Sequence, residues 1–294
     1  RDGRLHEDAR RFSLRGRCLS LCTETRRRMR KLFLYMVIGL LCSCEVIKEE
    51  DRLIPVPTPV TNSRTHVLLE YTGFRCVNCP TAAQTAQALQ ELYGEQLIVV
   101  ALHPASNPFT QGLYDYTCPE ADSLYLYMGG TATTPFPAGN IDLQATDNRY
   151  FYDYNEWSGE LIRAMQQDTI WPYLGVTTET DIEQQTIDVE VLAYSEKALD
   201  TRLAIWLVED SIHGAQAMPD GSVNTDYYHR HVLRAALNGC PWGEPILLQN
   251  TASQYKYTMP IPARCNAANC HIVALLLDQD NYRILQAYET NLDD

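Results

Sequence analysis

The sequence predicts an α/β domain with a parallel sheet, followed by an all-β domain, behind an N-terminal export signal. Three observations point to this architecture. An apolar run, a helical run and a second apolar run follow one another between positions 67 and 103. Short alternating segments recur after position 172, and a basic and then apolar stretch begins at Met29. The first pattern is typical of a βαβ unit, the second of half-exposed strands and the third of a signal peptide.

The apolar segment 32–41 follows two basic residues and is shorter than the roughly 20 residues that cross a bilayer. It therefore indicates a secretory signal peptide, which we assign to residues 29–43. Residues 1–28 are rich in arginine and show no apolar periodicity, so we interpret them as a non-native extension upstream of the true start.

The signal ends in Leu41–Cys42–Ser43–Cys44, which resembles the lipobox of bacterial lipoproteins. This resemblance implies that Cys44 is acylated, and the alternative is an ordinary signal peptide with incidental cysteines. Residues 44–63 are first acidic and then rich in proline, as an extended tether would be. Lys48–Glu49–Glu50 resembles the surface-export signal of Bacteroidetes lipoproteins. We therefore expect a lipid anchor in the outer membrane, with the body facing the periplasm or the cell surface.

Charge and cysteine content limit the partners. The chain has a formal net charge of −13, and residues 1–43 hold 11 of its 24 lysines and arginines but only four of its 37 acidic residues, so the remainder is more acidic still. Such a surface repels phosphate backbones, which makes nucleic acid an unsuitable partner. An exported chain meets an oxidising compartment, where pairing of its cysteines is expected.

Residues 64–168 carry the predicted α/β domain. The strand over Val67–Tyr71 and the strand over Leu97–His103 are almost wholly apolar, as buried parallel strands are. Between them, Pro80–Tyr93 predicts a helix with alanine and leucine on one face, closed by Gly94. Further predicted elements are helices within 113–128, a strand from about Asn140 and a helix over Asn155–Gln167.

The dithiol motif Cys76–Val77–Asn78–Cys79 lies between the first strand and its helix. The helix N-terminus favours a thiolate, so we expect Cys76 to be the exposed, attacking thiol and Cys79 the resolving one. The same spacing also fits a structural disulfide, or half of a zinc site with only His103 and Cys118 nearby. Of these three interpretations, we favour redox exchange.

The order of elements and the dithiol turn resemble the thioredoxin fold. That resemblance implies a cis-proline loop that faces the dithiol and contacts substrate peptide, with Pro137 favoured over Pro135. It also implies that Glu70, six positions before Cys76, is a buried acid that moves a proton to the inner cysteine. A solvent-facing carboxylate is the alternative. The sequence departs from the thioredoxin pattern at two places. Arg75 stands where an aromatic residue is usual, and the dipeptide between the cysteines is Val77–Asn78.

Residues 172–294 predict an all-β sandwich of immunoglobulin-like type, with strands over 186–191, 203–208, 271–277 and 282–288. His229 and His231 would share one face of a strand and could bind a metal, but an isolated imidazole pair is more often structural, so no metal site is predicted. Cys265 and Cys270 bracket a short loop and are a candidate disulfide.

Together these features resemble the Omp28-related outer-membrane lipoproteins of Bacteroidetes. The matching segments beyond the lipobox are Glu70–Pro80, Trp206–Asp210, Tyr228–Arg234 and Asn238–Gly243. Two functions follow as hypotheses: thiol-disulfide exchange on an exported protein or peptide, or a non-catalytic binding or adhesion module with a structural disulfide. No cofactor is predicted, and the sequence leaves the oligomeric state open.

Overall fold

A computed structural model of the chain describes residues 64–167 and 171–292, which form a mostly β-sheet fold with three α-helices. The predicted extension, signal peptide, acylated Cys44 and tether lie outside the described residues. No helix of the described part is long and apolar enough to span a membrane.

The first half of the described chain holds a parallel strand pair. Strands β1 (His66–Tyr71) and β2 (Leu97–Leu102) are parallel along their whole length, and both are fully buried. Helix α1 (Cys79–Tyr93) connects them and ends at Gly94, whose φ is 55°. The predicted βαβ unit is therefore confirmed. Strand β3 (Ala138–Ile141) is antiparallel to β1 on its other side.

Two further helices complete this half. Helix α2 spans Pro119–Tyr127, within the region where helices were predicted. Helix α3 spans Trp157–Gln167, close to the predicted segment. A Cβ at Gly139 would overlap the indole of Trp157, so a glycine in β3 lets α3 approach the sheet closely.

The second half consists of strands joined by turns. In chain order these are β4 (Tyr173–Asp181), β5 (Thr186–Tyr194), β6 (Leu199–Glu209), β7 (Ile212–Ala217), β8 (Val223–His229), β9 (Val232–Ala236), β10 (Glu244–Leu248), β11 (Ser253–Pro260), β12 (Cys270–Asp278) and β13 (Ile284–Asn291). The four strands predicted from alternation and apolar runs correspond to β5, β6, β12 and β13.

One eight-stranded sheet unites the two halves. Its order is β13-β12-β6-β9-β2-β1-β3, with β10 paired to β6. The connection is short: β2 and β9 are parallel neighbours through the pair Ala101 and Val232, and the Ala101 N–H donates to the His231 carbonyl at 2.7 Å. All described residues accordingly belong to one unit.

Three apolar clusters cover this sheet. Helices α1 and α3 pack on one face of β1, β2 and β3. A three-stranded sheet, β11-β5-β4, covers β6 and β12. Helix α2 lies over the opposite face of β1 and β2, in a cluster that continues to Trp206 on β6 and Val273 on β12. The apolar core is therefore continuous across both halves, and the remaining strands, β7 and β8, form a separate hairpin.

Candidate functional site

Cys76 and Cys79 form a disulfide at the start of α1, with Cα atoms 5.4 Å apart. The sequence produces this geometry locally, because the Cys76 N–H donates to the Gly73 carbonyl and the Cys79 N–H to the Cys76 carbonyl. Pro80 occupies the first turn of the helix, where its missing N–H costs no hydrogen bond. The two cysteines are therefore paired as the motif predicted.

The β7–β8 hairpin covers this disulfide. The buried side-chain amide of Gln216 donates to the Cys76 carbonyl at 2.9 Å, and the Ala217 N–H donates to the Phe74 carbonyl at 2.8 Å. Both cysteines are only 2 % exposed. The expectation that Cys76 is exposed is therefore wrong. The cause is a segment that joins the site from 140 positions further along the chain.

Glu70 is buried near the inner cysteine. It lies on β1 at 4 % exposure, and its Oε1 has no hydrogen-bond partner among the described residues. Burial raises the pKa of Glu70 to about 8, because desolvation disfavours the carboxylate. Glu70 and Cys79 line the same cavity of about 520 Å³, which lies beside α1 and is bordered on the other side by residues of the β7–β8 hairpin.

Two histidines, His103 and His229, also line this cavity, and Tyr116 packs against both. The imidazole of His229 lies 4.3 Å from the Tyr116 ring and 5.8 Å from the His103 ring, measured between centroids. Burial lowers the pKa of His229 to about 4, and burial followed by the charge of His229 lowers the pKa of His103 well below its usual range. Neither nitrogen of His103 has a hydrogen-bond partner among the described residues. Burial therefore favours the neutral form of both imidazoles.

Sequence reasoning treated His103 only as a zinc ligand and did not single out Tyr116. The available signal was position: His103 follows β2 directly, and the carboxyl ends of parallel strands meet at one edge of a sheet, where sites form.

Pro137 precedes β3 at the same edge, and the peptide bond between Phe136 and Pro137 is cis. Its neighbour Ala138 pairs with Tyr71, the last residue of β1, so Pro137 lies near the start of the dithiol loop. The structure records no cis bond at Pro135 within the described chain.

The predicted pairing of His229 and His231 on one strand is wrong. His229 ends β8, whereas His231 lies in the turn before β9 with a φ of 55°, so the strand is interrupted between them. A left-handed residue breaks the alternation that would have placed both imidazoles on one face.

The candidate disulfide between Cys265 and Cys270 is not formed. Both are free thiols in the structure, as are Cys118 and Cys240. The Arg234 Nε donates to the Cys265 sulfur at 3.5 Å.

Two solved structures are similar to about four fifths of the chain. HBP35 of Porphyromonas gingivalis is similar in structure, with a TM-score of 0.63, 13% identity and coverage of 80% of this chain and 77% of that one. A protein from Agrobacterium tumefaciens matches with a TM-score of 0.50, 10% identity and coverage of 80% and 96%. At these identities the likeness concerns the fold alone. No curated protein matches the sequence.

The family comparison is more specific. A domain of the outer membrane lipoprotein Omp28 from Porphyromonas gingivalis is 20% identical, with a TM-score of 0.30 and coverage of 43% of this chain and 91% of that one. The family model described as outer membrane protein Omp28 matches residues 126–293, more than half of the chain. The predicted family and outer-membrane location are therefore confirmed, and the chain belongs to the Omp28 family of outer membrane proteins.

Proposed function

We propose that this outer-membrane protein exchanges disulfides with exported proteins through Cys76 and Cys79, in a thioredoxin-like unit that packs on an immunoglobulin-like sandwich. One observation carries the proposal: Cys79 and the buried carboxyl of Glu70 line one cavity. An acid whose pKa is about 8 is mostly protonated at neutral pH, and it is suited to give a proton to the departing inner thiolate.

Disulfide exchange takes two successive thiolate attacks. A thiolate of the client attacks the Cys76 sulfur, the Cys76–Cys79 bond breaks, and Cys79 leaves as a thiolate that takes the proton of Glu70. The second client thiolate then attacks the client sulfur of the mixed disulfide and releases Cys76. The client dithiol is oxidised to a disulfide, and the Cys76–Cys79 pair accepts the two electrons.

The local framework supports a thioredoxin-like arrangement. The parallel pair β1 and β2, the antiparallel β3, the helix that begins at Cys79 and the cis peptide before Pro137 occur in the order that this fold requires. Under this proposal Pro137 contacts the client strand, and acylated Cys44 holds the body at the bilayer.

Access to Cys76 requires the β7–β8 hairpin to move, because Gln216 and Ala217 hold it on the dithiol loop. This cover is also the observation that favours the second candidate function. In that alternative the disulfide is a permanent cross-link, and the protein is a binding or adhesion module without turnover.

Equilibration of the purified protein with glutathione buffers separates the two functions. Exchange chemistry predicts a reduction potential for Cys76–Cys79 above roughly −300 mV, and a structural bond predicts a value well below it. Catalysed reduction of insulin is the second readout, with Cys76→Ser as the inactive control. Equal activity in the wild type and in this variant would refute the exchange proposal.

A further inference from the structure

Three polar side chains from distant parts of the chain meet at one end of the eight-stranded sheet. Asp210 directly follows β6, His231 directly precedes β9, and His271 is the second residue of β12. These strands are neighbours in the order β12-β6-β9, and Glu209 is paired with both Cys270 and Val232. The sheet register therefore brings the three side chains together.

The distances suit metal coordination better than hydrogen bonding. Nδ1 of His231 lies 3.5 Å from Oδ1 of Asp210, and Nδ1 of His271 lies 3.8 Å from Oδ2. One ligand atom from each residue falls within 4.8 Å of the other two. A tetrahedral zinc ion with bonds of about 2.0–2.2 Å separates neighbouring ligand atoms by about 3.3–3.6 Å. The cluster needs only small side-chain shifts to reach that geometry.

The two imidazoles lack other partners for this role. Nδ1 of His231 is buried and makes no hydrogen bond with the described residues. His271 is 6 % exposed, its Nδ1 lies 3.8 Å from Oδ2 of Asp210, and its buried Nε2 also makes no hydrogen bond with the described residues. Buried polar atoms without a hydrogen bond are costly and few in native proteins, so two imidazoles aimed at one carboxylate call for a ligand.

Neighbouring groups hold the three side chains in place. The backbone N–H of His231 donates to Oδ1 of Asp210 at 2.6 Å, and Nε2 of His271 lies 3.0 Å from Oε1 of Glu289 without forming a hydrogen bond. Metal-binding histidines commonly direct their second nitrogen to a carboxylate, which fixes the tautomer and the ring. Glu289 is suited to that orienting role and leaves Nδ1 of His271 available to the ion.

The site is open to ions from solution. The side chains of Asp210 and Glu289 are 35% and 32% exposed, and a cavity of about 470 Å³ is lined by all four residues. Two imidazoles and a carboxylate favour zinc and similar transition metals over calcium or magnesium, which prefer oxygen ligands alone.

We propose that Asp210, His231 and His271 bind one divalent transition-metal ion of the zinc class, with Glu289 as the positioning residue for His271. Asp210 and His231 also border the cavity that Glu70 and Cys79 line, but metal binding by the three residues does not depend on the exchange chemistry.

Calorimetric titration of the purified, oxidised protein with Zn²⁺ tests this proposal. We expect one ion to bind the wild type, and His231→Gln to weaken that binding by at least ~10-fold. His213→Gln is the matched control, because His213 also lies beside a carboxylate, Asp226 at 2.9 Å, but is exposed and not part of the cluster. Cys265→Ser controls for zinc capture by the neighbouring thiols, and both controls should bind as the wild type does.

A second readout does not depend on calorimetry. Zn²⁺ should raise the Tm of the wild type and of His213→Gln, because an ion that binds only the folded state stabilises it, and this rise should be lost in His231→Gln. His231 is used because it is partly exposed, whereas a change at buried His271 tests folding as well. A wild type without bound Zn²⁺ at micromolar free ion, or equal binding by His231→Gln, would overturn the proposal.

Discussion

The side-chain amide of Gln216 donates a hydrogen bond to the backbone carbonyl of Cys76, 140 positions away in sequence. The amide is buried, and it also contacts the carbonyls of Gly73 and Ala217. Together with the hydrogen bond from the Ala217 N–H to the Phe74 carbonyl, this side chain joins the β7–β8 hairpin to the dithiol loop. The strength of these contacts should affect how often the disulfide is exposed to solvent.

Replacing Gln216 by Ala should speed reduction of the Cys76–Cys79 disulfide. The lost hydrogen bond is worth about 0.5–1.5 kcal/mol, so the population with an open hairpin should rise about two- to tenfold. The measurement is the rate of disulfide reduction by excess dithiothreitol, followed by thiol labelling. Gln254→Ala, at an exposed position of β11, is the control and should react at the wild-type rate. An unchanged rate in Gln216→Ala would mean that the hairpin does not limit access.

Gly214→Ala should loosen the same hairpin by a different route. A Cβ at Gly214 would overlap the Tyr116 hydroxyl, so the hairpin must shift away. We expect a loss of about 1–3 kcal/mol in the free energy of unfolding together with faster reduction of the disulfide. Gly159→Ala in α3 is the matched control, because its Cβ meets nothing within 4 Å and alanine favours a helix. Wild-type stability in Gly214→Ala would contradict the close packing of the hairpin.

Glu70 should make the protein less stable as pH rises. Its folded pKa of about 8 lies above its ordinary value of 4.5, so the folded state holds more protons between these values. Stability from this group is full below about pH 4.5 and is lost as pH rises to 8. In Glu70→Gln this fall should disappear. Urea unfolding at pH 5 and pH 8 gives the change in the free energy of unfolding between the two pH values, which is compared between the variant and the wild type.

The control for this prediction is Glu91→Gln, which removes an exposed carboxylate that lines the same cavity. Its pH profile should follow the wild type. Under the exchange proposal, Glu70→Gln should also slow reduction of the disulfide, by on the order of 100-fold, because the departing Cys79 thiolate loses its proton donor. A stability profile that changes without any change in rate would assign Glu70 to structure alone.

His229 should make the protein less stable as pH falls, which is the opposite of the effect of Glu70. Its pKa falls from 6.5 to about 4 on burial, so the unfolded state binds the proton first. The stability that it contributes is present above pH 6.5 and is lost as pH falls towards 4. His229→Phe keeps a ring beside Tyr116 and should reduce the loss of stability between pH 7 and pH 5. His213→Gln, at an exposed histidine, should leave that loss unchanged, and an identical profile in His229→Phe would contradict the burial effect.

Cys265 should be the most reactive of the four free thiols. A hydrogen bond from Cys270 and the nearby Arg234 lower the pKa of Cys265 to about 7, whereas burial raises the pKa of Cys118 to about 12. At pH 7, iodoacetamide should label Cys265 first, as read by peptide mass spectrometry, and Cys118 should stay unlabelled. Cys270→Ala should slow labelling of Cys265 by removing the donor. Equal labelling of all four thiols would contradict this ranking.

Local patterns were enough to predict the framework of the site. The βαβ unit, the helix that begins at the dithiol and four of the ten strands of the second half follow from apolar periodicity and from residues such as Pro80 and Gly94. The cover over Cys76 could not be predicted, because it depends on a contact between segments 140 positions apart. The meeting of Asp210, His231 and His271 was also missed, since it follows from strand order and from the left-handed turn at His231.

The junction between β2 and β9 has a consequence for any attempt to dissect this protein. A fragment that ends near residue 167 would lose the neighbour of β2 and uncover the apolar surface that Trp206 and Val273 now shield. A fragment that starts near residue 171 would leave the edge of β9 without its neighbour β2. Each half provides a strand neighbour and apolar cover for the other. Recombinant fragments of either half alone are therefore poor substitutes for the intact chain.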